Sequence, residues 1–143
     1  MKDTRYLKRK GFLSHVFAFM AEMATYIGIE PRTIVADPAN ADIGRGLRVF
    51  LQANGYVALQ DNTALGDYMT ITAITHGLAG EGASLFGGGK VPAVASEAVN
   101  AGDQAYTAAN GQCGKTSTSN VAIGKWTQPA SGAGVLSEIE LKA

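Results

Sequence analysis

The sequence predicts a mainly β protein, a small antiparallel β-barrel or sandwich built from a duplicated β-unit, with a basic arm and a helix ahead of it. Three observations carry this expectation. After Pro31 the chain breaks into short β-prone runs, "RTIVAD", "LRVFLQ", "YVALQ", "YMTITAIT", "ASLF", "KVPAVA", "QAYTAA", "NVAIGKWTQ" and "GVLSEIELK", separated by Gly, Asn and Asp and too closely spaced for helices between them. Two Asn-Gly pairs, Asn54-Gly55 and Asn110-Gly111, lie between such runs, and a type I′ hairpin turn needs positive φ at both central residues, which Asn and Gly tolerate. The same turns mark an internal repeat: Gly46, Phe50 and Ala53-Asn54-Gly55 meet Gly102, Tyr106 and Ala109-Asn110-Gly111, and after two inserted residues Leu65-Gly66-Asp67-Tyr68 meets Ile123-Gly124-Lys125-Trp126. Two copies are too few for a solenoid, so the unit is read as closing one core.

The N-terminal part has a different character. Lys2, Arg5, Lys8, Arg9 and Lys10 stand against Asp3 alone, a balance of +4 that leaves −4 on the rest of a chain with zero net charge. Then Leu13, Val16, Phe17, Met20, Met23, Ala24 and Ile27 recur at helical spacing, and Gly28 is a natural stop. Phe12, Phe19 and Tyr26 lie off that stripe, so the predicted helix is apolar on more than one side and suits a place between two surfaces. The division is therefore 1–30, basic arm and amphipathic helix, and 31–143, β-domain. His15 and Glu22 interrupt the apolar run and no small-residue cleavage site follows, which argues against a signal peptide. No stretch approaches the roughly 20 apolar residues of a membrane-spanning helix.

Chemistry-bearing patterns are few. Gly114-Lys115-Thr116 matches the tail of a phosphate loop, but Ala109 stands where the first glycine is required, and the Thr/Ser-rich "TSTSN" follows in place of a helix. "GLAGEGASLFGGGK" has Leu85 at the third glycine of a dinucleotide fingerprint, and Val91 follows Lys90 where a phosphate loop needs Ser or Thr; it reads as flexible turns around a short strand at 83–86. His15 and His76 lack metal-ligand spacing. Cys113, the lone cysteine, reads as a small residue in a hairpin. Asp37, Asp42, Asp61, Asp67, Glu81, Glu97 and Asp103 fall at turns and strand ends as caps. No catalytic set, cofactor site or metal site is expected, and no small-molecule substrate. The basic arm, with Tyr6 among its cations, suits an acidic protein surface. Nucleic acid is the weaker reading, since the body supplies no basic face to extend the footprint.

"AVNAGDQAYTAANGQ" and "VAIGKWTQPASGAGVLSEIEL" resemble the capsid cement or decoration proteins of tailed bacteriophages. The resemblance rests on Ala101-Gly102-Asp103 before a strand, the turn glycine Gly111, the Ile123-Gly124 corner, the turn at Gly132 and Gly134, and the alternating run from Val135 to Leu141. It covers residues 42–143 and implies a non-enzymatic virion protein on the outer face of the head, made in the host cytoplasm and binding the major capsid protein, often as a trimer. The apolar composition itself points to a homo-oligomer. The arm residues Lys2, Arg5, Tyr6, Lys8, Arg9, Lys10, Phe12, Phe17, Phe19 and Met20 are then the candidate capsid contacts, and Asn54, Gly55, Asn110 and Gly111 the structural turns. The alternatives are another minor head or tail protein, or a nucleic-acid-binding protein using the arm.

Overall fold

The computed structural model describes residues 31–142, so the basic arm and predicted helix lie outside the described residues. Ten strands follow: β1 (Pro31–Val35), β2 (Arg48–Leu51), β3 (Val57–Leu59), β4 (Tyr68–Thr70), β5 (Ala79–Ser84), β6 (Gly89–Val94), β7 (Gln104–Thr107), β8 (Cys113–Gly114), β9 (Ala122–Trp126) and β10 (Leu136–Leu141). They form two five-stranded antiparallel sheets, ordered β1-β5-β4-β2-β3 and β6-β10-β9-β7-β8. Counted from its own first strand each sheet has one and the same order, so the duplication is present in the topology. The parallel bridges Ala36↔Val57 and Ala95↔Cys113 bring the end of each first strand back onto the third, curling each sheet toward a small barrel.

Backbone hydrogen bonds align the two units and correct the alignment drawn from sequence. Gly46 N–H donates to Thr70 O at 2.9 Å, and Gly102 N–H to Trp126 O at 2.8 Å; Thr70 N–H donates to Leu47 O at 3.0 Å, and Trp126 N–H to Asp103 O at 2.8 Å. Thr70 and Trp126 are therefore equivalent at an unbroken offset, 46 to 102 and 70 to 126, with no insertion before them. Tyr68 pairs with Val49 as Gly124 pairs with Ala105, so Gly66 and Gly124 are not counterparts. The misleading signal was a shared apolar-Gly corner, together with a register shift between Ala105 and Tyr106 where β9 carries an extra residue.

The apolar runs expected as strands are strands, with two corrections. The Gly-rich stretch read as turns around 83–86 holds β5 at Ala79–Ser84. A side chain at Gly80 would come within 2.6 Å of Ile74, and one at Gly82 within 2.8 Å of Ile34, so these glycines mark close packing inside a strand. β8 has no counterpart in the expected runs, because two residues show no period.

Alternation then decides what each face meets. Ile34, Ala36, Ile43, Val49, Val57 and Ile74 fill the first sheet, with Tyr68 packed against them. Met69, Ile71, Ala83 and Leu85 point the other way and join the larger core of the second unit, beside Val91, Cys113, Trp126 and Ile139. The back of the first β4–β5 pair is thus an internal interface. In the second unit the cross-strand pair Lys125↔Glu140 stands where Met69↔Ala83 stands in the first, and both charged residues are exposed. One sequence repeat has diverged into a buried back and a solvated back.

Arg48 locks the units together. It is 0% exposed, yet its guanidinium donates to Gln112 O at 3.2 Å, Leu65 O at 3.0 Å and Asn62 O at 3.2 Å, and also to the carbonyls of Ala64 and Ala108. Three of these carbonyls belong to the loop after β3 and two to the β7–β8 hairpin. Thr107 Oγ1 donating to Thr63 O at 2.6 Å and Asn110 N–H donating to Asp61 O at 2.8 Å complete the seam.

Candidate attachment surface

The capsid-contact residues expected at positions 2–20 lie outside the described residues. The four turn residues are described, and the two copies differ. Asn110, at φ 59 and ψ 32, precedes Gly111 at φ 72, and Gln112 N–H donates to Ala109 O at 3.2 Å. Both central residues have the positive φ of a type I′ turn between β7 and β8. Between β2 and β3 only Gly55 has positive φ, at 87; its N–H donates to Gln52 O at 3.0 Å, and Asn54 Oδ1 accepts from Tyr56 N–H at 3.0 Å. The type I′ expectation is corrected there to a longer turn held by the Asn54 side chain.

Surroundings separate the two glycines further. A Cβ on Gly55 meets nothing within 4 Å, whereas one on Gly111 would lie 2.7 Å from Leu59 Cδ1 and 3.0 Å from Arg48 O. Gly55→Ala is therefore expected to cost about 1 kcal/mol, from the left-handed backbone alone. Gly111→Ala should cost at least about 2 kcal/mol more, through overpacking at the seam. Chemical denaturation of the two variants side by side checks the difference.

The phosphate-loop look-alike has its own occupant. Lys115 N–H and Thr116 N–H donate to Glu97 Oε2 at 3.0 and 3.1 Å, and Thr116 Oγ1 donates to the same oxygen at 2.8 Å. Donors of the kind a phosphate loop aims at a ligand are spent on a carboxylate of the chain itself. The Thr116 hydroxyl most of all, then the two N–H groups and the Lys115 charge, hold the Glu97 carboxyl below its ordinary value against the opposing effect of burial. A depressed folded value means that this tether is fully present above the unfolded carboxyl value of about 4.3 and is lost as pH falls through the lower, folded one. Protection of the Lys115 and Thr116 amides, taken as exchange relative to the intrinsic rate at each pH, should accordingly be high at neutral pH and fall in acid below the ordinary carboxylate range. Glu97→Gln should lower that protection at neutral pH, since a neutral oxygen is the weaker acceptor, and should show no acid step.

Three of the carboxylates expected as caps accept backbone N–H groups as caps do. Asp37 Oδ1 accepts from Ala39 N–H, Asp67 Oδ2 from Leu51 N–H and Asp103 Oδ2 from Asn100 N–H. His76 lies at an exposed turn, its N–H donating to Asp42 Oδ1 at 3.0 Å and its Nδ1 3.4 Å from the same oxygen. His15 lies outside the described residues, among which no group of three or more His, Cys, Asp or Glu is placed to hold a metal. Cys113 is a core residue of β8: burial pushes its thiol up to about 12, with the Arg48 charge acting in the opposite direction. A thiol so held stays protonated at neutral pH.

Among the described residues, large apolar side chains are exposed on both units, Phe86, Val121 and Leu136 as well as three near β3. Leu51, Tyr56 and Leu78 are 50%, 36% and 59% exposed. Leu51 pairs with Val57, Tyr56 precedes Val57, and Ala36 both bridges to Val57 and donates its N–H to Leu78 O. Backbone pairing thus places all three near Val57.

The structure is similar to the head fiber gp8.5 N base of bacteriophage phi29. The TM-score is 0.60 at 14% sequence identity, over 80% of this chain and 94% of that chain. At that identity the likeness is one of fold, and it spans nearly the whole of that head fiber base. No protein-family model matches the chain, and no curated protein matches it. The expected Asn54, Gly55, Asn110 and Gly111 are parts of hairpins, while Arg48, Glu97 and the Leu51–Tyr56–Leu78 patch had no sequence signal of their own. An internal arginine has no motif, and exposed strand ends look like core until the pairing is known.

Proposed function

We propose that this protein is a structural component of a tailed-phage head, seated on the outer face of the shell as a cement or decoration protein that strengthens contacts between coat subunits. The observation that carries the reading is the likeness of its two-sheet fold to a head fiber base over 94% of that chain. The order of motifs shared with decoration proteins supports it. The basic residues Lys2, Arg5, Lys8, Arg9 and Lys10 meet an acidic shell surface, and Tyr6, Phe12, Phe17, Phe19 and Met20 add apolar contacts to it. The protein acts as a closed homo-oligomer, a trimer, so that several weak attachments on one rigid body multiply. The same likeness favours a second reading, a base on the head surface from which a longer appendage projects.

Co-sedimentation with expanded empty shells tests the proposal. The full chain should pellet with shells and saturate. Deletion of residues 1–28 should lower occupancy by tenfold or more, since each apolar side chain withdrawn from water contributes roughly 1.5–3 kcal/mol. Replacing Lys8, Arg9 and Lys10 by Glu should have the smaller effect, because exposed ion pairs are worth about 1 kcal/mol or less. Full occupancy by the deletion variant would remove the arm from the mechanism, and no pelleting of the full chain would remove the shell.

A further inference from the structure

Asn54-Gly55 and Asn110-Gly111 stand in one and the same tripeptide, Ala-Asn-Gly. An asparagine before glycine has a side-chain amide open to attack by the next backbone nitrogen, because glycine carries no side chain to obstruct the approach. Identical neighbours give the two sites one intrinsic reactivity, so a difference between them in the folded chain belongs to the fold. Both asparagines are exposed, and exposure alone does not separate them.

The bonds that close the two turns match: Gln52 N–H donates to Tyr56 O at 2.8 Å, and Ala108 N–H donates to Gln112 O at 3.0 Å. What lies outside the turns does not match. Residues 53–56 are all exposed and a Cβ on Gly55 meets nothing within 4 Å, so this turn opens without disturbing anything beyond it. The second turn is tied to the seam. Asn110 N–H donates to Asp61 O at 2.8 Å, Arg48 donates to the carbonyls of Ala108 and Gln112, and Gly111 is buried against Leu59 and Arg48. Opening it breaks bonds to the first unit as well as its own.

Backbone geometry separates the sites in the same direction. Asn110, at φ 59 and ψ 32, is left-handed; that conformation turns a residue's own carbonyl oxygen toward its Cβ, and so turns the following nitrogen away from the side chain. Asn54 is not left-handed. Its Oδ1 accepts from Tyr56 N–H at 3.0 Å, which lays the side-chain amide along the Gly55 peptide, and the Gly55 N–H has only its bond to Gln52 O to release.

We propose that Asn54 is a site of spontaneous, backbone-assisted deamidation in the folded protein, and that the seam spares Asn110. The Gly55 nitrogen gives up its proton and bonds to Asn54 Cγ, the Cγ–Nδ2 bond breaks, and the amide leaves as ammonia with that proton, leaving a five-membered succinimide. Water then adds to either ring carbonyl and breaks its bond to nitrogen, giving aspartate or isoaspartate. A neutral amide beside the exposed Tyr56 becomes a carboxylate, and in the isoaspartate product the main chain of the β2–β3 turn runs through Cβ.

The test uses the full-length protein without shells, so it stands or falls separately from the head-protein reading. Folded protein and protein in urea are incubated side by side in mildly alkaline buffer. Tryptic cleavage after Arg48, Lys90 and Lys115 places the two asparagines in different peptides, and mass spectrometry follows the conversion of amide to acid in each, against unincubated protein digested in the same way. The ratio of the Asn54 rate to the Asn110 rate should be near one in urea and at least about tenfold higher in the folded chain, since protection follows the cost of local opening. Isoaspartate should accompany aspartate at position 54, because only ring opening yields it. A smaller folded-to-urea increase in that ratio, an Asn54 that does not react in the folded chain, or aspartate alone would overturn the proposal.

Discussion

Arg48→Ala is expected to lower the unfolding free energy by roughly 3–5 kcal/mol, a large part of the 5–15 kcal/mol typical of a domain. The cause is on the acceptor side. Five backbone carbonyls, those of Asn62, Ala64, Leu65, Ala108 and Gln112, converge on the one guanidinium, and a buried carbonyl left without a donor costs about 1–3 kcal/mol. Burial also lowers the affinity of the guanidinium for its proton, with the neighbouring Cys113 acting in the opposite direction, yet arginine stays charged, so its desolvation is offset chiefly by these bonds. A buried ion pair can often be exchanged for apolar residues at little cost, because both charges leave together. Here the acceptors are main chain and stay. Arg48→Met should therefore lose about 3 kcal/mol or more although it fills the volume, and Arg48→Lys should lose nearly as much, since an ammonium has three donors and no fork. Urea denaturation of the three variants checks this; a methionine variant as stable as the parent would show that the carbonyls find other donors.

Trp126→Ala should cost about 3–5 kcal/mol, the range for emptying an aromatic site in a packed core. Trp126 is 0% exposed, lies among Val91, Cys113 and Ile139, and donates its indole N–H to Gly114 O at 3.1 Å. Trp126→Phe keeps most of the apolar contact and orphans only that carbonyl, so about 1–2 kcal/mol is expected. The equivalent position in the first unit holds Thr70, whose hydroxyl donates to Gly44 O at 2.8 Å and accepts from Leu47 N–H at 3.0 Å. One topological position is filled by a large ring in the unit with the larger core and by a hydrogen-bonded hydroxyl in the smaller one. Trp126 is the sole tryptophan, so these variants are followed by circular dichroism while the parent's fluorescence reports its own core.

Strand positions and the duplication were legible because both rest on local pattern: alternation, and an Asn-Gly pair that few backbone geometries accept. The alignment past Gly66 was not, because a glycine at a corner and a glycine such as Gly124 within β9 carry the same letter for different reasons. A side chain on Gly124 would come within 2.0 Å of Glu140 O, a constraint made by β10 and invisible from β9 alone. Arg48 sits in the run "LRVFLQ" and would ordinarily face solvent; its acceptors are carbonyls, which every residue has, so no sequence letter announces them. Glu97 likewise looks like a cap until the loop after β8 is seen to wrap it. Leu51 and Tyr56 stand in runs expected as strands and Leu78 in a stretch expected as turns, and no letter among them says that all three are exposed.

Electron cryomicroscopy of expanded empty phage shells saturated with the purified full-length protein tests the central claim most directly. Density on the outer face that accommodates the two-sheet body of residues 31–142, repeated at symmetric sites and bridging adjacent coat subunits, is the result expected of a head-attached structural protein. Shells left bare at saturating protein, or density confined to the interior or the tail vertex, would contradict it.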